Sequence, residues 1–182
     1  MPRLNVVDPA SATGEVKDLL DGPLKSMHIN IIKGMANSAA GLKAYMNMSG
    51  ALGEGSLSAG EREIVALVVG QRNSCDYCLA AHTALGKGAG LSEEQTLGAR
   101  RGDLDDAKLS ALATFAHAIV EKKGFVDDSD LAAFRGAGYD DGAVVEVIGA
   151  VALNFYTNYF NHVNQTDVDF PAAQPVEATA GA

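Results

Sequence analysis

The chain has 182 residues, enough for one domain with a real hydrophobic core. Its formal charge of −9 and pI near 4.8, with Arg100-Arg101 as the longest basic cluster, exclude a phosphate-binding surface, so no nucleic-acid partner is expected. Apolar runs such as Ile64–Val69 fall far short of a membrane span. Met1-Pro2-Arg3-Leu4 leads into a mixed polar segment and not an apolar signal region, so the expectation is a soluble cytoplasmic protein with no membrane partner.

Helix signals dominate, because apolar residues recur at spacings of three and four while strict alternation never runs beyond a few positions. The first predicted helix covers 12–22, capped by Thr13 and ended at Gly22-Pro23; the second covers 24–34. Asn37 or Ser38 opens a third, running to about Leu52 with Leu42, Tyr45, Met46 and Met48 on its apolar side. Ser58, with Glu61 three residues later, predicts a capping box ahead of Ile64-Val65-Ala66-Leu67-Val68-Val69, in a helix ending near Gln71-Arg72. Asn73-Ser74 is read as the next N-cap, which places Cys75 in the first turn of a helix to about Gly88. Ser92-Glu93-Glu94 opens a short helix ended at Gly102, and Asp105 or Asp106 caps a longer one through Val120, with Leu109, Leu112, Phe115, Ala116 and Ile119 facing inward. A short helix from Asp127–Ser129 to Gly136 precedes a long one from about Asp140 to Asn164 that carries Val144, Val147, Ile148, Val151, Leu153 and Phe155. No repeat and no linker divides the chain. The expectation is one all-α domain over 1–166, followed by an extended or mobile tail over 167–182.

The chemistry-bearing stretch is Glu63, then Cys75-Asp76-Tyr77-Cys78, then His82. The two cysteines are the only ones in the chain, and in a reducing compartment such a pair is more often catalytic or metal-binding than a structural staple. C-x-x-C is associated with thioredoxin-like βαβ units, but no strand precedes Cys75, so here the motif joins two helices. Cys75, near a helix N-terminus, gains thiolate character from the macrodipole and free backbone N–H groups. His82 lies one helical turn beyond Cys78, on the same face, where it can take that thiol's proton. Blander readings stand beside these: two small buried hydrophobes, a satisfied histidine, and a Glu63 that merely complements a helix dipole. The four side chains are also of types that zinc accepts, although they form one crowded cluster without a second distant pair. His117 reads as structural, His162 as a helix-end residue that could line a pocket or an interface, and Met35, Met46 and Met48 as core filling.

The residues Glu61-Arg62-Glu63-Ile64-Val65-Ala66-Leu67 and Asn73-Ser74-Cys75-Asp76-Tyr77-Cys78-Leu79-Ala80-Ala81-His82-Thr83 resemble the core motif of alkylhydroperoxidase AhpD-like proteins in the carboxymuconolactone decarboxylase superfamily. That motif is a glutamate twelve residues before C-x-x-C and a histidine four residues after its second cysteine, and all four positions match. Asn154-Phe155-Tyr156-Thr157-Asn158-Tyr159-Phe160-Asn161-His162 and Asp169-Phe170-Pro171 look like the C-terminal region of the peroxidase-related members. The resemblance implies an AhpD-like helical bundle and a thiol-dependent peroxidase acting on alkyl hydroperoxides or hydrogen peroxide. In it Cys78 would attack peroxide, Cys75 would resolve the sulfenic acid as a disulfide, and Glu63 would accept protons in a relay with His82. An external dithiol would be the reducing partner, no metal or other cofactor would be required, and a homo-oligomer, a trimer or hexamer, would be the assembly. The dipole argument and the family role therefore point to different cysteines as the more reactive one. The chain also departs from the best-known pattern: Tyr77 stands where a relay histidine precedes the second cysteine, and a tyrosine does not shuttle protons near neutrality. A Tyr77 hydrogen bond that orients Glu63 or water is what remains open to that position. A dithiol–disulfide oxidoreductase with little peroxidase activity is the alternative, and a non-catalytic helical assembly subunit a more remote one.

Overall fold

A computed structural model describes residues 1–176, and all regular structure among them is helical. In chain order these are α1 (Gly14–Asp21), α2 (Asn30–Met35), α3 (Ala39–Gly53), α4 (Ala59–Arg72), α5 (Asp76–Gly88), α6 (Glu93–Arg101), α7 (Ala107–Glu121), α8 (Asp128–Gly136) and α9 (Asp141–Asn164). The all-α expectation is met. Short-range chemistry sets most of the boundaries. Ser58 Oγ accepts from the Glu61 amide at 3.2 Å while Glu61 Oε2 accepts from the Ser58 amide at 2.8 Å, which is the predicted capping box of α4. Ser92 and Gln95 repeat the device at α6, and Asp106 and Asp140 cap α7 and α9.

Two predicted boundaries move. The 24–34 helix survives only as α2, because the chain turns where Leu24 folds back onto α1. Its amide bonds the Leu19 carbonyl at 3.1 Å, its side chain is buried, and His28 Nε2 then meets the Leu20 carbonyl at 3.0 Å. Cys75 is not in the first turn of α5 but is its N-cap. Asn73 closes α4, Ser74 turns the chain with a left-handed φ of 53°, and Cys75 Sγ accepts from the Cys78 amide at 3.3 Å.

The centre of the fold is α4. Its run Ile64–Gly70 is buried all round, which is where a helix apolar on every side belongs, and α5, α6, α7 and α9 pack about it. The larger core gathers α4, α7, α8 and α9 round Leu67, Leu112, Phe115, Phe134 and Val147. Phe134 is stacked between Phe115 and Tyr139, with ring centroids 4.4 Å apart on each side. Removing that fully buried ring leaves a cavity under α8, so Phe134→Ala should cost about 3–5 kcal/mol in a urea unfolding experiment. A loss below about 1 kcal/mol would mean that α8 collapses into the space or contributes little to the core.

A smaller core packs Leu20, Leu24, Ile32, Met35 and Leu42 against Cys75, Tyr77, Cys78 and Ala81. The helix α9 borders both cores, and it departs most from its predicted face. Val147 and Val151 are buried as expected, but Ile148 is exposed, and Asn154, Thr157, Asn158, Asn161 and Asn164 continue the buried stripe. By length and composition alone α9 could cross a bilayer; in this fold that polar stripe lies against the neighbouring helices. Residues 167–176 form no helix or strand and run back over the body. Asp169 Oδ2 accepts from the Asn30 amide at 2.7 Å, the Gln174 carbonyl accepts from Arg100 at 2.6 Å, and Ala173 packs on the larger core. The expected tail continues over 177–182, which lies outside the described residues.

Candidate active site

Five helices (α2, α3, α4, α5 and α9), the loop before α2 and the C-terminal segment line a cavity of about 420 Å³. Tyr45 and Leu52 come from α3, Arg62 and Glu63 from α4, Cys78, His82 and Leu85 from α5, Leu153 and Asn161 from α9, and Phe170 from beyond it. The lining is mainly aliphatic and aromatic, with Arg62, Glu63, His82 and Asn161 among its polar side chains. This is the composition of a site for an organic molecule with a few polar groups to orient it.

Cys75 and Cys78 are joined as a disulfide, with Cα atoms 5.2 Å apart. Both are buried, at 1% and 2% exposure, yet Cys78 lines the cavity and Cys75 does not. The sulfur of Cys75 is instead turned to the amide of Cys78 at the head of α5, as its N-cap. The sulfur of Cys78 accepts a hydrogen bond from Asn161 Nδ2 at 3.3 Å.

Glu63 and His82 meet across α4 and α5. The Nδ1–H of His82 donates to Glu63 Oε2 at 2.7 Å, and both side chains are about four-fifths buried. A carboxylate on Nδ1 fixes the ring's orientation and, in the neutral ring, leaves Nε2 as the basic nitrogen. The i+4 spacing brings His82 to the cavity that Cys78 lines, but the hydrogen bond the imidazole makes is to Glu63. Among the described residues no three His, Cys, Asp or Glu side chains are placed to hold a metal ion, and the four zinc-type candidates are engaged in two pairs.

Tyr77 turns away from Glu63. Its hydroxyl donates to Asp169 Oδ1 at 2.8 Å and accepts from the Ile31 amide at 3.3 Å, and Phe170 packs edge-on against its ring at 5.8 Å between centroids. Burial first, and the bond to Asp169 second, push its phenol far above the ordinary value, so near neutral pH Tyr77 acts as a neutral donor. Its place in the motif is structural: it straps the C-terminal segment over the site. Tyr45 also keeps its proton, since burial raises its phenol and the Glu63 carboxylate adds to the effect. His28, His117 and His162 line no part of the cavity.

Three residues were not singled out by sequence reasoning: Tyr45, read only as an apolar face of α3; Phe170; and Asn161. The signal for Asn161 was present. Asparagines at 154, 158, 161 and 164 follow helical spacing on what should be an apolar stripe, and such a run needs partners in the core.

This all-helical bundle, with a C-x-x-C disulfide opening onto a cavity beside a Glu–His pair, has the AhpD-like fold. Residues 39–121, from α3 through α7, match the model of the carboxymuconolactone decarboxylase family. Among solved structures, the chain is similar to a peroxidase-related protein with an alkylhydroperoxidase AhpD core from Ralstonia eutropha JMP134, at 19% identity over 92% of each chain with a TM-score of 0.82. A peroxidase-related protein from Silicibacter sp. TM1040 matches at 23% identity over 91% of this chain and 89% of that one, with a TM-score of 0.79. A cysteine-to-alanine variant of the debrominase Bmp8 in complex with 2,3,4-tribromopyrrole matches at 12% identity over 92% and 91%, with a TM-score of 0.76. At these identities the likeness is one of fold. No curated protein sequence matches the chain.

Proposed function

We propose that the chain is a thiol-dependent peroxidase that reduces organic hydroperoxides, and hydrogen peroxide less well, and is recycled by an external dithiol. The observation that carries the reading is that Cys78, alone of the disulfide pair, opens into an apolar cavity shared with the Glu63–His82 pair. In the reduced state the Glu63–His82 pair takes the proton of Cys78, directly or through water. The thiolate attacks the terminal oxygen of R–O–O–H; the S–O bond forms, the O–O bond breaks, and the alkoxide leaves with the proton returned by the pair. Cys75 then attacks the Cys78 sulfenic acid, closing the disulfide and releasing water. A dithiol restores both thiols by attacking Cys78, the accessible sulfur, and Cys75 departs as thiolate. Its N-cap position favours that departure, because the helix N-terminus stabilises a leaving thiolate. The dipole argument and the family role thus describe two different steps.

Stopped-flow oxidation of the reduced protein tests the reading. Cumene hydroperoxide should react faster than hydrogen peroxide, since the apolar walls hold the larger molecule. No reaction with either, alongside rapid thiol–disulfide exchange with dithiols, would establish the oxidoreductase alternative that Tyr77 favours by withdrawing from proton transfer. Bromide release from a bromopyrrole in the same assay would redirect the reading toward dehalogenation. The homo-oligomer expected from the resemblance, a trimer or hexamer, is supported by an exposed apolar stripe on α9 formed by Val145, Ile148, Tyr156, Tyr159 and Val163. Light scattering that returned a monomer at micromolar concentration would remove that part of the proposal.

A further inference from the structure

Asn161 is buried at 4% exposure in the last turns of α9, with its Nδ2 3.3 Å from Cys78 Sγ and its Oδ1 buried without a partner among the described residues. An amide held this way in a core is costly in the disulfide state. Nδ2 spends its donor on a neutral divalent sulfur, which is a weak acceptor, and an orphaned carbonyl oxygen loses its hydration with nothing in return. Reduction changes what Cys78 offers the same amide. A thiolate turns the Nδ2–H bond into a charge-assisted one, and a thiol supplies an S–H that a half-turn of the side-chain amide brings to Oδ1. Either reduced form satisfies Asn161 better than the disulfide does, and the 2% exposure of Cys78 keeps water from levelling the difference.

We propose that Asn161 is a catalytic residue that touches the reacting sulfur and biases it, favouring the Cys78 thiolate over the thiol and the dithiol over the disulfide. The inference rests on the reading that Cys75 and Cys78 cycle through a disulfide, but not on peroxide as the oxidant. The reaction it biases balances as one S–S bond broken in the protein and one formed in the reducing dithiol, with two electrons and two protons passing to Cys75 and Cys78. Stabilising the reduced side makes the couple more oxidising, so the disulfide that forms during turnover is reduced again readily.

The test is equilibration of wild type and Asn161→Leu with a dithiothreitol redox series, with each redox state quantified by alkylation and mass spectrometry. The loss of the amide should stabilise the disulfide about tenfold, which is a potential lower by ~30 mV. In a Cys75→Ser background, the pH dependence of iodoacetamide alkylation should show the Cys78 ionisation moved upward by Asn161→Leu. Asn161→Asp should move it further, since a carboxylate beside the sulfur repels the thiolate. Unchanged potential and unchanged alkylation profile in folded Asn161→Leu overturn the proposal and leave the residue a packing element. Asn161→Ala supplies the same two readouts if the leucine variant does not fold. A wild-type pair that never exchanges with dithiothreitol would refute the disulfide cycle itself, an outcome distinct from a pair that exchanges with no dependence on Asn161.

Discussion

Cys78→Ser is expected to abolish fast peroxide consumption, with kcat/KM falling by more than about 10³-fold. A serine hydroxyl is not ionised near neutrality, and among the described residues no other thiol lines the cavity. Cys75→Ser should behave differently. The first step remains, so one equivalent of hydroperoxide should be consumed in a burst, and a sulfenic acid should then accumulate on Cys78, trappable with dimedone and visible as a mass increment on the peptide that contains it. Steady turnover with a dithiol should fall, since the thiol proposed to resolve the sulfenic acid is gone. Cys78 alone of the two lines the cavity, so the contrast between the variants tests whether the sulfur that meets the cavity is the one that attacks. Equal loss of the burst in both variants would refute it.

Glu63→Gln should slow thiol oxidation by about 10²–10⁴-fold near neutral pH, the range expected when a general base is removed. The neutral carboxamide can still hydrogen-bond the imidazole, so the geometry of α4 against α5 should survive, and unchanged thermal unfolding would separate loss of the base from loss of the fold. What disappears is the carboxylate charge beside the imidazole to which the thiol proton is proposed to pass. The pH–rate profile should therefore move upward, toward the region of about pH 8.5 where an unassisted thiol ionises by itself. The slowing should shrink as pH rises, because free thiolate no longer needs the relay. A profile that keeps its shape and position would reduce Glu63 to a charge at the head of a helix.

The parts of the molecule legible in advance are those fixed by neighbours in the chain. Ser58 with Glu61, and Ser92 at the head of α6, depend on groups within one turn, so their helices start where the residues place them. The Glu63, Cys78 and His82 grouping was legible because two of its members share α5 and the third sits at the start of the adjoining helix. The failures come from long-range packing. Leu24 breaks the predicted second helix because burial against α1 outweighs continuation. The buried stripe of α9 includes four asparagines that hydropathy assigns to water; only the fold shows that Asn158 meets Asn73 at 2.9 Å and that Asn161 meets a sulfur 83 residues away in the chain. Tyr77 likewise finds its partner, Asp169, at a separation of 92 residues.

The C-terminal segment strapped by Tyr77 carries a consequence for how such a chain can diversify. Glu63, Cys75, Cys78 and His82 all fall inside residues 39–121, whereas Ile29, Leu153 and Phe170, which wall the cavity, lie on either side of that stretch. Part of the cavity wall thus lies outside the stretch that holds these four side chains, while Tyr45, Leu52 and Leu85 wall the cavity from within it. Substitutions at the three wall positions should reorder the preference among hydroperoxides while leaving the rate of reaction with a small dithiol nearly constant. Under the proposed function, changes at these margins would alter which hydroperoxide fits while leaving the sulfur pair in place.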